Sequence, residues 1–493
     1  MKHLFKPLFI ASLIAAANLG HSDTLKQIYE LAVQNDAQLK AAEATFKANQ
    51  ETENIALSGL LPQINGSAGY NELNANSASP DSFTNFGGGP INLGGGSERR
   101  TQQESYSVSL SQPLFDLSKW FSFKSGKEVS KQAESQFAAD QQDLIVRTVQ
   151  AYLKVLEATD KLEASKAEER ATLRQLEQTQ QRFEVGLIAI TDVYEARASY
   201  DNAMVRRLGN EGNLGSAYEA LTILTGQPHN ELWLLSKDLP VQLPTPSDRN
   251  AWTESALKYN NNLKAAIYAE EAAAYNSKSK RSGHLPTITA NASYGNDDID
   301  GRLVGSSSPF SRSPGSEDET NTWGITLNVP IYSGGLTSAQ SRQSYQQFMA
   351  STENRINLER SVVQNARATF IQLSTDVPNV EARIQSIISA RSALEATQAG
   401  YEVGTRTIID VLTTQRNLYN AVSEYASARY TYLLNLLLLK QLAGTLSPDD
   451  VYKLDKWLVA PGSALAIDYE GKNFAQTNKA LTPVKKAPTI IQP

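Results

Sequence analysis

Residues 182–193 read RFEVGLIAITDV, and residues 400–411 read GYEVGTRTIIDV. Six of these twelve positions are identical at an offset of 218 residues, and LEQTQ at 176–180 matches LEATQ at 394–398. Similarity between distant segments at a fixed offset indicates a duplicated architecture. The sequence therefore predicts two internal structural repeats, joined by a linker at about 228–250.

The composition excludes several functional classes. The chain has 493 residues, no cysteine, four histidines and a formal net charge of −6. Thiolate metal sites and cysteine nucleophiles are therefore absent, and a mildly acidic chain is a poor partner for nucleic acid. Two of the histidines, His3 and His21, lie in a predicted leader, so only His229 and His284 remain for imidazole chemistry. We expect no metal, no cofactor and no nucleic-acid partner.

The N-terminus has the pattern of a secretory signal peptide over residues 1–22. Lys2 and Lys6 precede an apolar run from Leu8 to Ala17, and small residues precede a predicted cleavage site before Asp23. This run is too short to span a bilayer, and no run of 18 apolar residues occurs elsewhere. The sequence predicts an exported protein that could cross a membrane only as a closed barrel.

Two strands are predicted in each half, at about 62–71 and 104–115 and at about 286–295 and 322–332. Apolar residues alternate in them with small hydroxylic ones, which fits either a half-buried sheet in a soluble sandwich or a lipid-facing sheet. The uncharged apolar face favours lipid. So do aromatic residues near the strand ends, which resemble two girdles: Tyr70, Tyr106, Tyr294 and Trp323 near one end, and Phe115 and Tyr332 near the other.

The number of strands has a consequence for assembly. About eight strands are the minimum for a closed barrel, and an open sheet in lipid leaves unpaired backbone groups at its edges. A chain with four such strands must therefore oligomerise to close. The Gly-, Ser- and Asn-rich segments at 72–101 and 296–321 are predicted to be long exposed loops.

Helical hairpins are predicted at about 118–226 and 335–443. Apolar residues recur there at coiled-coil spacing, as in Ile145, Val149, Tyr152 and Leu156, and in Leu418, Tyr425, Tyr432 and Leu439. These stripes fit an ordinary bundle core, whereas the length of the helices favours a long tube. Pro378 is predicted to interrupt and kink its helix.

With these features in view, the chain resembles the TolC-type outer-membrane efflux protein family. The resemblance covers 23 to about 456 and is most specific at the two opening motifs and at FDLSKW, residues 115–120. It places the first repeat at 23–227 and the second at 251–456. The remaining segment, 457–493, is rich in Pro, Ala, Thr and Lys and is predicted to be disordered.

The resemblance implies a mixed α/β membrane protein of the Gram-negative outer membrane. Its three protomers would form a homotrimer with a twelve-stranded transmembrane β-barrel, four strands from each, surrounded by outer-membrane lipid. A long periplasmic α-helical coiled-coil barrel would continue this barrel. The partners implied are a periplasmic adaptor (membrane fusion) protein and an inner-membrane transporter. The function implied is an exit duct for drugs, small toxic compounds or proteins in tripartite efflux and type I secretion systems.

The resemblance also assigns an entrance latch at the ends of the helical hairpins. It implies that Asp192 pairs with Tyr401, and Thr191 with Arg406, to hold the periplasmic entrance shut. From the residues alone, these side chains could equally be solvated groups at helix ends, with Asp192 as a helix N-terminal acid.

Asp410 matches a ring of inward-facing aspartates that makes the family's entrance cation-selective. The family's best-known members carry a second aspartate three residues on, where this chain has Thr413, so the expected ring holds three carboxylates rather than six. The family also uses grooves beside the hairpin turns for adaptor docking, which here comprise Val185, Gly186, Leu187, Val403, Gly404 and Thr405. Gly186 and Gly404 have a structural explanation as well, as glycines at helix C-termini.

Two other classes of function remain to be compared. A secreted or surface coiled-coil protein, such as an adhesin stalk, would explain the long helices but not the duplicated strand pairs. An enzyme has little support, because the two remaining histidines lie in unrelated contexts and no nucleophile motif stands out.

Overall fold

The computed structural model describes residues 23–78, 83–86, 89–92, 96–304 and 315–463. The predicted leader and residues 464–493 of the predicted tail lie outside this part of the chain. Contacts divide the chain into two compact units. The first comprises Met1–Ala44, Phe137–Leu263 and Glu359–Pro493, and the second comprises Thr45–Gln136 and Lys264–Leu358.

The helices follow the same order in both halves of the chain, where two shorter helices precede the strands and two long ones follow them. A further short helix lies near the C-terminus. In chain order they are α1 (Leu25–Asn35), α2 (Ala37–Ser58), α3 (Leu117–Glu184), α4 (Ile190–Thr225), α5 (Arg249–Tyr259), α6 (Asn261–Arg281), α7 (Leu336–Glu402), α8 (Ile408–Leu442) and α9 (Pro448–Asp455).

The strands of the described residues fall into one sheet of four and two small pairs. In chain order they are β1 (Gln63–Ala78), β2 (Phe83–Phe86), β3 (Gly89–Asn92), β4 (Gly96–Phe115), β5 (Leu234–Leu235), β6 (Thr287–Val304), β7 (Ser316–Asn328) and β8 (Leu458–Val459). The larger sheet is antiparallel in the order β1-β4-β6-β7, and β2 pairs with β3.

One face of the four-stranded sheet carries the apolar residues of the alternating pattern, and these side chains are exposed. Val108 on β4 pairs with Tyr294 on β6, and Ala292 on β6 pairs with Trp323 on β7. Directly paired residues lie on the same face of a sheet, and so do residues two apart. Trp323 is 87% and Ile325 is 71% exposed. The protomer therefore presents an apolar sheet face that nothing in its described residues covers.

The strands extend further than the alternation predicts. β1 runs to Ala78, and β6 to Val304, so much of the sequence predicted as loops at 72–101 and 296–321 is paired strand. This prediction was wrong because a β-ladder needs only backbone donors and acceptors, which polar residues supply as well as apolar ones. β7, in contrast, ends at Asn328 rather than 332. Pro330 lacks an N–H group, and Tyr332 lies beyond the strand.

The helical stripes pack as predicted in the core of the first unit. Tyr152 and Leu156 on α3 and Leu439 on α8 are fully buried there, together with Leu25 and Ile28 of α1. The predicted interruption at Pro378 is not observed, because α7 continues through this residue to Glu402. A proline removes one N–H from a helix without necessarily ending it, and the predicted kink stays a prediction.

The junctions α1–α2 and α5–α6, which the sequence patterns did not predict, share one geometry. Asp36 and Asn260 each end one helix in a non-helical conformation, with φ of −59° and ψ of 116° and 121°. Each side chain accepts a hydrogen bond from the N–H three residues on, that of Leu39 at 2.6 Å and that of Leu263 at 3.0 Å. Each of these two side chains also forms a second hydrogen bond, and the partners of these second bonds differ. Asp36 accepts from Arg147 on α3 at 2.8 Å, whereas the Asn260 amide donates to the Leu442 carbonyl at 3.0 Å.

The linker between the halves is held by both ends of the described chain. β5 in the linker pairs with β8, and Asp23 forms a parallel bridge with Leu232. The His229 imidazole lies 2.7 Å from the Asp23 carboxylate and 2.7 Å from the Thr225 hydroxyl. Residues 458–459, which the sequence analysis assigned to a disordered tail, therefore form a strand, because their apolar side chains and backbone find partners in the linker.

Candidate functional site

The predicted functional residues cluster at the turns of the two long helical hairpins, α3–α4 and α7–α8. Gly186 and Gly404 follow the first helix of each hairpin with φ of 76° and 81°. The N–H of Leu187 donates to the Arg182 carbonyl at 2.9 Å, and the N–H of Thr405 donates to the Gly400 carbonyl at 2.8 Å. These bonds close each helix end, and only glycine adopts the left-handed conformation there without strain. The structural explanation of both glycines is confirmed.

The predicted docking residues surround these glycines and are exposed. Val185, Leu187 and Val403 are 70%, 69% and 76% exposed. Thr405 is also exposed, and its hydroxyl donates to the Gly400 carbonyl at 3.0 Å. Each turn thus presents apolar side chains on a fixed backbone, which is an arrangement that a partner surface can bind.

Thr191 and Asp192 lie in the first turn of α4. The N-cap residue, Ala189, provides no side-chain hydrogen bond to the end of the helix. Asp192 is the acidic residue of the first turn. A negative charge is favourable there because the N–H groups at a helix N-terminus are unsatisfied. The Thr191 hydroxyl donates to the Asp192 carboxylate at 3.4 Å. Thr191 is exposed and Asp192 is partly buried.

Asp410 lies in the first turn of α8 and forms a capping box with Thr407. Its carboxylate accepts from the Thr407 N–H at 3.0 Å and from the Thr407 hydroxyl at 2.9 Å, while its own N–H donates to that hydroxyl at 3.3 Å. The N–H and then the hydroxyl of Thr407, together with the nearby Arg406 charge, hold the pKa of Asp410 below its usual value. The carboxylate is therefore ionised and oriented by its own helix end.

Tyr401, in the last turn of α7, contacts a residue that the sequence analysis did not assign. The Arg182 guanidinium lies 4.8 Å from the centre of the Tyr401 ring. The phenol oxygen of Tyr401 is buried and has no hydrogen-bond partner. The two side chains line one cleft, whose other walls are formed by Gln175, Gln178, Gln181, Val185, Gln398 and Glu402.

The two predicted latch pairs do not form within one protomer. The unpartnered phenol excludes a hydrogen bond from Tyr401 to Asp192, and no hydrogen bond between Arg406 and Thr191 occurs among the described residues. Arg406 instead packs against Gly400, at the end of its own hairpin. The structure therefore groups these residues by hairpin end and leaves the predicted pairs apart.

Two residues at this site were missed. Thr407 carries a recognisable signal, since a threonine three residues before an acid at the start of an apolar helix is a capping-box pattern. Arg182 carries none, because its importance depends on the meeting of two helix ends that lie 219 positions apart in the sequence (401 minus 182).

The aromatic residues of the sheet share its apolar face at one end. Tyr70, Tyr106, Tyr294 and Trp323 occupy this face by register, and the Asn296 amide donates to the Tyr106 phenol oxygen at 2.7 Å. At the other end, the register shifts between Pro113 and Phe115, so that Phe115 pairs with Ile288. Such a bulge inserts one residue and turns the next side chain to the opposite face. Phe115 thereby joins the apolar face.

Two negative observations apply to the described residues. None of their helices combines the length and apolarity needed to cross a membrane. No three of their His, Asp and Glu side chains are grouped so that they could hold a metal ion.

Comparisons with known proteins agree with this architecture. The family model of the outer membrane efflux protein matches residues 28–227 and 252–445. The chain is 38% identical over 461 residues to the outer membrane protein TolC of Vibrio cholerae, with 93% of this chain and 99% of the relative covered. It is also 29% identical over 460 residues to the proteases secretion protein PrtF of Dickeya chrysanthemi, covering 92% and 95% of the two chains.

A solved structure has the same fold. The Campylobacter jejuni CmeC outer membrane channel superposes with a TM-score of 0.69 at 18% identity, covering 88% of this chain and 89% of that one. The family model spans both halves, and the V. cholerae relative matches almost end to end. The chain therefore belongs to the outer membrane efflux protein family.

Proposed function

We propose that three copies of the chain form the outer-membrane exit duct of tripartite efflux and type I secretion systems. The exposed apolar face of the four-stranded sheet carries this proposal. A face with Trp323 at 87% and Ile325 at 71% exposure is unfavourable in water and favourable against hydrocarbon. Membership of the outer membrane efflux protein family gives the location and the class of transport.

The edges of the sheet support an oligomer, and the number of three protomers is the one that the family resemblance implies. β1 and β7 each pair on one side only among the described residues. Pairing β7 of one protomer with β1 of the next satisfies both edges, and three protomers then contribute twelve strands to one barrel. The hairpins α3–α4 and α7–α8, one from each repeat, continue this barrel as a periplasmic coiled-coil tube.

The hairpin turns form the periplasmic entrance of the duct. Thr191, Asp192, Tyr401 and Arg406 hold the entrance closed, and the predicted pair of Thr191 with Arg406 forms between neighbouring protomers. Asp410 faces the opening as a ring of three carboxylates that attracts cations. The exposed residues beside Gly186 and Gly404 dock a periplasmic adaptor, which in turn connects the duct to an inner-membrane transporter.

Adjacent residues of β7 give a matched test of the lipid-facing sheet. Ile325 lies on the apolar face and Thr326 on the other face, so Ile325→Lys places a charge in hydrocarbon whereas Thr326→Lys places it in water. We expect Thr326→Lys to reach the outer-membrane fraction, to migrate as a trimer on an unboiled gel and to conduct ions in planar bilayers. We expect Ile325→Lys to lose all three properties.

The same measurements distinguish the coiled-coil stalk. If the chain were a stalk protein, it would appear in the medium or at the cell surface. The wild-type protein would then conduct no ions, and the Ile325→Lys and Thr326→Lys variants would behave alike. That result would reject the duct.

A further inference from the structure

We propose that five cations, at the ends of α3 and α6 that adjoin the four-stranded sheet, form a docking surface for the anionic headgroups of phospholipids. This basic patch would meet the periplasmic leaflet of the outer membrane. The proposal rests on the proposed function as a duct, because it takes the apolar sheet face to be surrounded by lipid, and it adds a preference for one class of lipid. The patch comprises Lys119, Lys124, Lys278, Lys280 and Arg281.

The patch lies where the sheet gives way to helix. β4 ends at Phe115, and α3 begins at Leu117. α6 ends at Arg281, and β6 begins at Thr287. Phe115 pairs with Ile288, so the two junctions are neighbours at one edge of the sheet. The patch is therefore confined to a narrow band beside the sheet, which is where the headgroups of a bilayer begin when the sheet crosses its hydrocarbon.

The charge along the chain changes abruptly at this edge. In each strand of the sheet, the eight residues that adjoin the edge contain no Asp, Glu, Lys or Arg. These segments are 63–70, 108–115, 287–294 and 321–328.

The two junctions that carry the patch are strongly basic. Residues 116–124 and 274–286 contain the five cations and one acid, although the whole chain has a net charge of −6. That acid, Asp116, accepts a hydrogen bond from the Lys119 N–H at 3.0 Å at the start of α3. An uncharged band followed by an excess of cations fits the boundary between hydrocarbon and anionic headgroups.

Side-chain contacts join the two helix ends into one surface. The Ser279 hydroxyl lies 3.0 Å from the Ser118 hydroxyl and 2.9 Å from the Ser122 hydroxyl. The Phe121 ring stacks on the Tyr275 ring with 6.5 Å between their centres. These contacts hold α3 against α6, so the cations of both helices belong to a single patch.

The cations of the patch lack ionic partners and lie among aromatic rings. None of the five forms an ion pair with a residue in the described part of the chain. The Lys124 ammonium lies 5.2 Å from the centre of the Trp120 ring, and the Lys278 ammonium lies 4.9 Å from that of Tyr275. The three cations of α6 are exposed. Aromatic rings beside exposed cations are typical of the membrane–water interface, and anionic headgroups would supply the missing counter-charge.

Helix electrostatics does not explain the whole patch. Cations in the last turn of α6 are favourable because the C-terminal end of a helix is partly negative. Lys119, however, lies in the first turn of α3, where the partial charge is positive and a cation is unfavourable. The two groups of cations share a position beside the sheet rather than a position along a helix. Anions outside the protein account for both groups.

The experiment measures which lipid lies beside Trp120, which is 45% exposed. Brominated lipids quench the fluorescence of a tryptophan that they contact. The Trp323→Phe trimer, in which Trp120 remains, is reconstituted in phosphatidylcholine bilayers with a rising fraction of brominated lipid. This lipid is either phosphatidylglycerol, which is anionic, or phosphatidylcholine, which is zwitterionic. We expect half-maximal quenching at a several-fold lower fraction of phosphatidylglycerol at low salt, and at equal fractions in about 1 M NaCl, where charges are screened.

A triple variant in the same background assigns the preference to the patch. Lys278→Gln/Lys280→Gln/Arg281→Gln removes the three exposed cations of α6 and leaves Trp120 with its neighbouring lysine. We expect this variant to lose most of the preference for phosphatidylglycerol, because each cation near an anionic surface strengthens the attraction. It should still migrate as a trimer on an unboiled gel.

The control removes the same number of charges elsewhere. Arg174→Gln/Arg197→Gln/Arg416→Gln changes three exposed arginines of the other compact unit. It should retain the preference of its parent. The remaining three tryptophans of the chain are common to all of these proteins, so they cannot cause a difference between them.

Three outcomes would overturn the proposal. In the first, the two brominated lipids quench Trp120 equally at low salt. In the second, the patch variant keeps the same preference as the control variant. In the third, inorganic phosphate displaces phosphatidylglycerol at an ionic strength at which chloride does not, which would make the patch a site for free anions.

A second reporter separates this proposal from the proposed function. Trp120→Phe retains Trp323, which is 87% exposed on the apolar face of the sheet. If neither brominated lipid quenches Trp323, the lipid-facing sheet and the duct are rejected. If both lipids quench Trp323 while Trp120 shows no preference, the duct stands and the docking surface alone is rejected.

Discussion

The phenol of Tyr430 donates a 2.5 Å hydrogen bond to the Asp160 carboxylate, which joins α8 to α3 inside the helical core. Both side chains are 5% exposed. Burial, followed by the Asp160 charge, raises the pKa of Tyr430 well above its usual value. The phenol therefore keeps its proton and acts as the donor at neutral pH.

Removal of this donor should destabilise the helical core. We expect Tyr430→Phe to lower the free energy of unfolding by about 2 kcal/mol, the usual contribution of a buried hydrogen bond to a charged group. The measurement is thermal unfolding of the purified protein, followed by helical circular dichroism. Tyr194→Phe, at a tyrosine that is 66% exposed, is the control and should leave the transition unchanged. Equal transitions for the two variants would contradict a stabilising function of the bond.

Glu157 on α3 should make stability depend on acidic pH. Burial alone would raise its pKa, but hydrogen bonds from Lys161, Lys154 and Ser427 outweigh burial and lower it to about 2. A carboxyl whose folded pKa is depressed stabilises the fold above its unfolded pKa, near 4.5, and loses that contribution as the pH falls towards 2. Glu157→Gln should therefore cost on the order of 2–3 kcal/mol at pH 7 and little at pH 2.

A neighbouring pair provides the control for Glu157. Glu163 forms an ion pair with Lys166 in which both side chains are more than 40% exposed. Exposed pairs contribute little, so Glu163→Gln should change stability by less than about 1 kcal/mol at either pH. A pH-independent loss in Glu157→Gln would show that the carboxylate charge is not the stabilising element.

Thr407 should set the pH at which the entrance loses cation selectivity. Its N–H and hydroxyl lower the pKa of Asp410, so the carboxylate stays charged to a lower pH than an unassisted aspartate would. Thr407→Val removes the hydroxyl and should move the loss of selectivity on acidification to a higher pH. Reversal potentials in asymmetric KCl between pH 3 and 7 measure this shift.

Two further variants calibrate the selectivity measurement. Asp410→Ala should abolish the acid-sensitive part of the selectivity, whereas Thr413→Val, at an exposed residue of the same helix, should leave it unchanged. Thr413→Asp should strengthen cation selectivity by adding a second carboxylate per protomer. An unchanged reversal potential in Asp410→Ala would remove Asp410 from the lining of the entrance.

Gly444, just after α8, should tolerate no side chain. Its φ is +69°, and an added Cβ would overlap the Tyr259 carbonyl. Gly462 has a φ of +81° but open space around it. We expect Gly462→Ala to cost about 1–2 kcal/mol of stability, which is the strain of the left-handed conformation alone. Gly444→Ala should cost about 1–3 kcal/mol more because the backbone of α5 must move. Equal losses in thermal unfolding would contradict the close approach.

The sequence predicted those parts of the fold that depend on local pattern. The heptad stripes through Tyr152 and Tyr432 and the glycines at 186 and 404 follow from spacing and backbone conformation within a few residues. The strand ends did not follow, because polar residues such as Asn296 join a ladder without contributing to apolar alternation. Phe115 reaches the apolar face only through a bulge, which is a property of two paired strands and not of one.

The sequence likewise predicted those features of the candidate site that depend on local pattern. Its position at the hairpin ends and the acid at 410 follow from the repeated motif. The contact of Arg182 with Tyr401 does not, because neither residue carries a local pattern that specifies the other as its partner. The protomer, moreover, forms no hydrogen bond between Tyr401 and Asp192, which a pattern within a single hairpin could not show.

The pairing of Leu458–Val459 with Leu234–Leu235 has a practical consequence for handling the protein. The final described strand is an integral part of the small sheet that it forms with the linker, so an affinity tag or reporter can be fused after Ser463 but not after Lys456. If the gene were split within the linker, after β5, then β5 and β8 would lie on different polypeptides. Co-expressed fragments could then reassociate through the pairing of these two strands. Such a pair of fragments would allow each half to be labelled or mutated separately within an assembled channel.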